Sequence, residues 1–194
     1  MRKTTFKRTE TVAFCGLAIA LLTISAWVTV PFGPVPFTLQ TMMLVFVATL
    51  FPAREALTSV FGYLALGAAG VPVFAGMKGG LASVVGPTGG FLVGFGLGMI
   101  AAVLIRRAWP EPAGVAGRTL RDAVAAVALL LVSYVCGWLQ LMALTGMDPV
   151  AAFAAGIAPF VVLDAVKLAV GVGLAQALAT AVPALRTHEA GRKA

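Results

Sequence analysis

The run of residues 151–181 constrains the possible fold more than any other part of the sequence. Its only charged members are Asp164 and Lys167. A run this long and apolar predicts a helix that crosses a lipid bilayer, for which about 20 residues suffice. Each charge inside a bilayer costs on the order of 2.5 to 3.5 kcal/mol on insertion scales. Because the two residues are three apart, they share one helix face and can neutralise each other or bind a polar ligand.

The composition supports a membrane protein. Hydrophobic residues make up 60% of the chain and charged residues 11%, and the mean hydropathy is +1.01. A soluble domain carries about a quarter charged residues and could not bury so much apolar surface. The net charge of +7 does not indicate a nucleic-acid partner, because the basic residues stand in separate blocks between apolar runs.

Six apolar runs predict an all-α integral membrane protein that forms a single membrane domain over residues 1–194. The predicted helices lie at about 12–30, 37–50, 56–69, 88–105, 123–144 and 151–181, with a long outer loop between the third and the fourth. The second and third are short for a full crossing and can instead form a re-entrant hairpin. In the fourth, Gly90, Gly94 and Gly98 predict close approach of a neighbouring helix.

The basic residues predict the orientation of these helices. With both termini in the cytoplasm, all of the fourteen Lys and Arg residues except Lys78 and Lys167 fall on the inner side. This asymmetry follows the positive-inside rule and predicts a multi-pass protein of the cell membrane. Gln40, Asp164 and Lys167 then lie near the outer surface, beside the loop of residues 70–90. The pattern predicts an occluded polar pocket that opens outward, with the loop as its lid.

The sequence favours binding or transport over catalysis. The only histidine, His188, lies in the tail, and no metal-ligand spacing, nucleotide-binding motif or nucleophile motif appears. We therefore expect no cofactor and no ATP hydrolysis by this chain. A self-sufficient proton-coupled carrier is an alternative, since a membrane Asp can relay protons, although such carriers normally contain an internal repeat. A structural membrane subunit is the other alternative.

Three segments resemble one known family. The sequences Val-Pro-Phe-Thr-Leu-Gln-Thr at 35–41, Gly-Val-Pro-Val-Phe-Ala-Gly at 70–76 and Gly-Pro-Thr-Gly-Gly-Phe-Leu-Val-Gly-Phe at 86–95 are similar to the BioY family. This family is the biotin-specific substrate-binding component of energy-coupling factor (ECF) transporters. The resemblance implies a six-helix protein that captures biotin from outside the cell. It also implies two kinds of partner, a transmembrane coupling subunit and two ATPase subunits that drive release inward.

The resemblance implies that Gln40, Asp164 and Lys167 bind the substrate. A buried carboxylate such as Asp164 accepts the ureido N–H groups of biotin well, and Lys167 can donate to the ureido oxygen or reach the biotin carboxylate. We also expect Lys78, or the backbone amides of the loop, to bind that carboxylate. The alternatives are a structural ion pair for Asp164 and Lys167, an interhelical hydrogen bond for Gln40, and a solvated loop charge for Lys78.

The loop motif and the first helix supply the remaining assignments. The predicted lid consists of Gly86, Pro87, Thr88, Gly89 and Gly90. Many relatives carry Tyr after this motif, whereas this chain has Phe91, so no hydroxyl contact is expected there. Gly16 and Ala20 have the spacing that permits close helix contact, and the resemblance implies that they meet the coupling subunit. Packing within the chain is the alternative.

Overall fold

The structure is a computed structural model that describes residues 2–31, 33–109, 112 and 114–181. Within these residues the chain is mostly helical, with eight helices and one two-stranded hairpin. The helices are α1 (Arg2–Trp27), α2 (Gln40–Leu50), α3 (Ala53–Ala68), α4 (Leu81–Val85), α5 (Gly89–Ala108), α6 (Val115–Thr145), α7 (Pro149–Gly156) and α8 (Val161–Ala181). The strands are β1 (Thr29–Val30) and β2 (Phe37–Thr38). The basic tail after residue 181, predicted to be cytoplasmic, lies outside the described residues.

Four helices are long and apolar enough to cross a membrane. They are Thr9–Trp27 within α1, and the whole of α5, α6 and α8. By contrast, α2 has 11 residues and α3 has 16, fewer than the roughly 20 that a perpendicular crossing needs. The described chain is therefore helical and multi-pass, and the second and third helices are short, as the sequence predicted.

The last predicted helix is divided in the structure. A single helix over 151–181 was expected, but α7 ends at Gly156 and α8 begins at Val161. The cause is Pro159, which has no N–H for the helical ladder and whose ring clashes with the preceding turn. Asp148 Oδ1 accepts hydrogen bonds from the backbone N–H groups of Val150 and Ala151, at 2.9 and 3.0 Å, and so caps α7.

Other boundaries differ because an apolar run shows only the membrane-embedded part of a helix. The structure begins α1 at Arg2 rather than near residue 12, and α6 at Val115 rather than near 123. The predicted outer loop of 70–90 contains the short helix α4. After α1, strands β1 and β2 form an antiparallel hairpin in which Thr29 pairs with Thr38.

The contact between α5 and α6 depends on glycines, as their spacing predicted. A Cβ on Gly94 would lie 2.6 Å from Ser133 Cα, and one on Gly98 would lie 2.6 Å from the Leu129 carbonyl oxygen. No larger side chain fits at either position without moving backbone. This contact brings the first turns of α5 to the middle of α6, where both line the cavity described below.

An ion cluster joins α2, α5 and α6 at the end of the bundle that lies away from this cavity. The Asp122 carboxylate lies 3.2 Å from Arg106 Nε and 3.4 Å from Arg121 Nη2. Arg106 also donates from Nη1 to the carbonyl oxygen of Ala48, near the end of α2, at 2.6 Å. A cation at a helix C-terminus satisfies carbonyls that have no partner within the helix. The cluster therefore fixes the ends of α2, α5 and α6 away from the cavity.

Candidate ligand-binding site

A cavity of about 750 Å³ lies at one end of the bundle. Its walls come from the hairpin, the first residues of α2, the segment 74–88, the first turns of α5, the middle of α6 and the first turns of α8. This volume lies within the range of roughly 300–1,000 Å³ that is typical of small-molecule sites. Segments far apart in the sequence converge there, which makes the cavity the candidate binding site.

All four side chains predicted to bind substrate line this cavity: Gln40, Lys78, Asp164 and Lys167. Gln40, Asp164 and Lys167 are buried, with 3%, 4% and 7% of their surface exposed, whereas Lys78 is exposed at the rim. The structure thus brings together residues that are up to 127 positions apart in the sequence. That they bind a ligand remains a prediction.

Asp164 and Lys167 form a direct ion pair on α8. Lys167 Nζ donates to Asp164 Oδ1 at 2.7 Å, and the same Nζ lies 3.9 Å from the centroid of the Phe37 ring. The aromatic face attracts the ammonium group and covers it. Asp164 lies in the first turn of α8, where the helix dipole favours a negative charge. The pair is therefore held in place on both sides before any ligand binds.

Two further residues, absent from the predicted set, also bind Asp164. Thr41 Oγ1 donates to Oδ1 at 2.9 Å, and Tyr134 Oη donates to Oδ2 at 2.5 Å. With Lys167, Oδ1 then accepts two hydrogen bonds and Oδ2 accepts one, so Oδ2 keeps one acceptor position for a ligand donor. Both residues carried a sequence signal. Thr41 directly follows Gln40, and Tyr134 adjoins Ser133 in an otherwise apolar stretch of α6.

The predicted lid is divided between the cavity wall and a helix. Gly86, Pro87 and Thr88 line the cavity. Gly89 and Gly90 instead form the first turn of α5, where a Cβ on Gly90 would lie 2.3 Å from the Cys136 carbonyl oxygen of α6. We therefore assign these two glycines to helix packing, because the α5–α6 contact leaves no room for a side chain.

The segment before α5 is tied to α6 by one side chain. Gln140 Nε2 donates to the carbonyl oxygens of Val84 and Gly86, at 2.9 and 2.7 Å. Both amide hydrogens of Gln140 are used, so this part of the cavity wall is anchored at two backbone carbonyls at the end of α4. Phe91 lines the cavity as an apolar surface, with its ring packed over Gly137 of α6.

Gly16 and Ala20 lie on an exposed face of α1, away from the cavity. Among the described residues, no atom outside the helix's own turn comes within 4 Å of a Cβ built on Gly16. Packing among the described residues therefore does not explain the glycine. The face is free to meet lipid or another protein.

The fold is that of the substrate-binding, or S, components of ECF transporters. The structure aligns with one described as "Crystal structure at 2.1 A of the S-component for biotin from an ECF-type ABC transporter". The TM-score is 0.76, and the alignment covers 90% of this chain and 93% of that one. The sequence identity is 21%, so this likeness shows the fold alone.

Sequence comparison defines the family. The BioY family profile matches residues 1–184, and the chain belongs to that family. A protein of Pyrococcus horikoshii named "Probable biotin transporter BioY" is 34% identical over 171 residues, which are 88% of this chain and 97% of that protein. The "Biotin transporter BioY" of Thermotoga maritima is 36% identical over 160 residues, covering 80% and 87% of the two chains. The predicted family membership is confirmed.

Proposed function

We propose that the protein captures biotin with high affinity from outside the cell, as the substrate-specific subunit of an ECF-type importer. One observation carries this proposal. In a chain of the BioY family, a cavity of suitable size contains a buried Asp164–Lys167 pair together with the predicted Gln40. The relatives named biotin transporters and the S-component fold support it independently. The S-component fold supports a transmembrane coupling subunit and two ATPase subunits as the partners that drive release inward. This sequence contains no nucleotide-binding motif of its own.

The chemistry of biotin suits this cavity. Its ureido group has two N–H donors and one carbonyl acceptor, and the open acceptor position on Asp164 Oδ2 matches one of those donors. Asp164 is paired with Lys167, and a hydrogen bond to a charged acceptor is stronger than one to a neutral acceptor. The apolar ring and chain of biotin suit a wall that includes Phe37, Phe91 and Phe95. The carboxylate of biotin would then extend toward the rim, where Lys78 lies.

The proposed topology has six crossings and both termini in the cytoplasm of a plasma-membrane protein. The four long spans supply four crossings, and α2 with α3 would supply the other two. The arginine cluster around Asp122 lies at the end opposite the cavity, and Lys78 lies beside the cavity. The positive-inside rule then puts the arginines in the cytoplasm and opens the cavity outward.

Binding and uptake assays test the proposal and separate it from its alternatives. Purified protein should retain radiolabelled biotin at nanomolar to micromolar concentration, whereas a purely structural subunit should retain none. Cells that express this chain without any coupling ATPase should not accumulate biotin by active uptake. Accumulation driven by a proton gradient in such cells would favour the self-sufficient carrier instead.

We predict that replacing Lys78 affects biotin and its amide differently. Because Lys78 is exposed, its attraction for the biotin carboxylate is screened, and Lys78→Met should weaken biotin binding only about two- to fivefold. Binding of biotin amide, which lacks the negative charge, should not change. Titration of both ligands against both proteins measures the difference, with Lys78→Arg as the charge-preserving control. Equal weakening of both ligands would contradict a charge contact at Lys78.

We also predict that the α1 face of Gly16 and Ala20 is needed for assembly. Replacing both by leucine should abolish copurification with the coupling subunit, because bulky side chains prevent close helix approach. Biotin binding by the isolated subunit should persist, since this face lies away from the cavity. The matched control is Ala169→Leu with Gly173→Leu, which changes the same residue types at the same spacing on the exposed face of α8. Unaltered copurification of the α1 variant would refute the assignment.

A further inference from the structure

Tyr63 does not line the cavity, but it connects two segments that do, the start of α2 and the loop of residues 70–80. The side chain is fully buried on α3, with 0% of its surface exposed. Its hydroxyl oxygen accepts a hydrogen bond from Gln40 Nε2 at 2.7 Å, and its hydrogen goes to the carbonyl oxygen of Val73 at 2.9 Å. Gln40 lines the cavity, and Val73 belongs to the segment that precedes Lys78. One hydroxyl group thus joins the candidate site to the loop of residues 70–80.

The direction of these hydrogen bonds fixes the orientation of the Gln40 amide. A tyrosine hydroxyl has one hydrogen, and a backbone carbonyl can only accept, so that hydrogen must point at Val73. The Tyr63 oxygen must then accept from Gln40, which requires the NH₂ group of Gln40 to face Tyr63. Within the described residues, the side-chain oxygen of Gln40, Oε1, accepts no hydrogen bond. The side-chain oxygen of Gln40 is therefore available as an acceptor for a ligand in the cavity.

In the loop, the residue after Val73 is also closely packed against α3. The Phe74 ring packs edge-on against Tyr63, with centroids 5.5 Å apart, and sits over Gly67, where a Cβ would lie 2.0 Å from the ring. The Phe74 N–H donates to the Lys78 carbonyl oxygen at 2.9 Å, which closes the turn that carries Lys78 to the rim. A shift of Val73 and Phe74 would therefore move Lys78 as well.

We propose that Tyr63 is a positioning residue for the biotin site. It sets Gln40 as the acceptor for the second ureido N–H of biotin, while Asp164 accepts the first, and it links the occupancy of Gln40 to the position of the 70–80 loop. This inference rests on the proposed function of biotin capture.

The test compares Tyr63→Phe with the unsubstituted protein. Phenylalanine keeps the ring contact with Phe74 but leaves Gln40 and Val73 without their partner, so biotin affinity should fall about 10- to 100-fold. Ser59→Ala is the matched control, because it also removes a fully buried hydroxyl, one turn earlier on α3, whose bond goes only to the Glu55 carbonyl oxygen. The control should bind biotin within about twofold of the unsubstituted protein.

Two further measurements distinguish positioning from simple support of the fold. If Tyr63 acts through Gln40, a Gln40→Met variant should lose affinity, and adding Tyr63→Phe to it should cost less than about twofold more. Hydrogen exchange should show that saturating biotin protects amides 73–80 in the unsubstituted protein but not in Tyr63→Phe. Unchanged affinity of Tyr63→Phe, or additive losses in the double variant, would overturn the inference. Failure of the unsubstituted protein to bind biotin would instead refute the proposed function on which it rests.

Discussion

Asp164→Asn is expected to abolish measurable high-affinity biotin binding. Asparagine preserves the size of the side chain but presents one acceptor oxygen where Asp164 has two, and three donors now point at that group. It also leaves the Lys167 ammonium buried without its counter-ion, and breaking a buried pair in this way costs about 3 to 5 kcal/mol. Because this cost is divided between folding and binding, we expect affinity to fall by at least about 100-fold.

Equilibrium binding of radiolabelled biotin to purified protein measures this effect. Asp148→Asn is the matched control, since it makes the same change at an exposed helix cap, where asparagine serves equally well. The control should bind biotin and unfold as the unsubstituted protein does. A folded Asp164→Asn protein with unchanged biotin affinity would show that the cavity binds its ligand elsewhere.

The second large effect concerns the partner charge. Adding Lys167→Met to Asp164→Asn should restore much of the lost stability, because neither charge then remains buried alone. Methionine retains an unbranched side chain that can still lie against Phe37. We expect the double variant to regain about half or more of the 3 to 5 kcal/mol, yet to bind no biotin.

Thermal unfolding in detergent, run beside the binding assay, separates these two properties. The single variants should each unfold at lower temperature than the double variant. Recovery of stability without recovery of binding would show that Asp164 and Lys167 are needed to bind the ligand. If the double variant bound biotin normally, the ion pair would only join helices, as the structural alternative holds.

Two physical rules made part of the site predictable from the sequence. They are the spacing of residues along one helix and the free-energy cost of placing a charge in a membrane. Asp164 and Lys167 are three apart on one helix, so their contact follows from helix geometry alone. An ionisable pair in an apolar run is also costly to insert into a membrane, and this cost predicts a functional role for the two residues on α8. The orientation implied by the basic residues then placed Gln40 in the same layer, and all three residues line one cavity.

The remaining parts depend on tertiary contacts that no local pattern encodes. Thr41 and Tyr134 bind Asp164 from two other helices, and nothing in their own segments shows which side chain they face. Gly89 and Gly90 belong to the loop motif, yet their role follows from the approach of α6. The break before α8 was visible as Pro159, but a membrane helix can also continue through a proline when its neighbours satisfy the freed backbone groups. Only the structure distinguishes these outcomes.

A structure of the biotin-loaded protein in a lipid nanodisc tests the central claim most directly. Our account predicts biotin inside the cavity, with a ureido nitrogen within about 3 Å of Asp164 Oδ2, the other ureido nitrogen facing Gln40, and the carboxylate toward the rim. Biotin bound at another surface, with Asp164 and Lys167 enclosed between helices and out of its reach, would contradict the account.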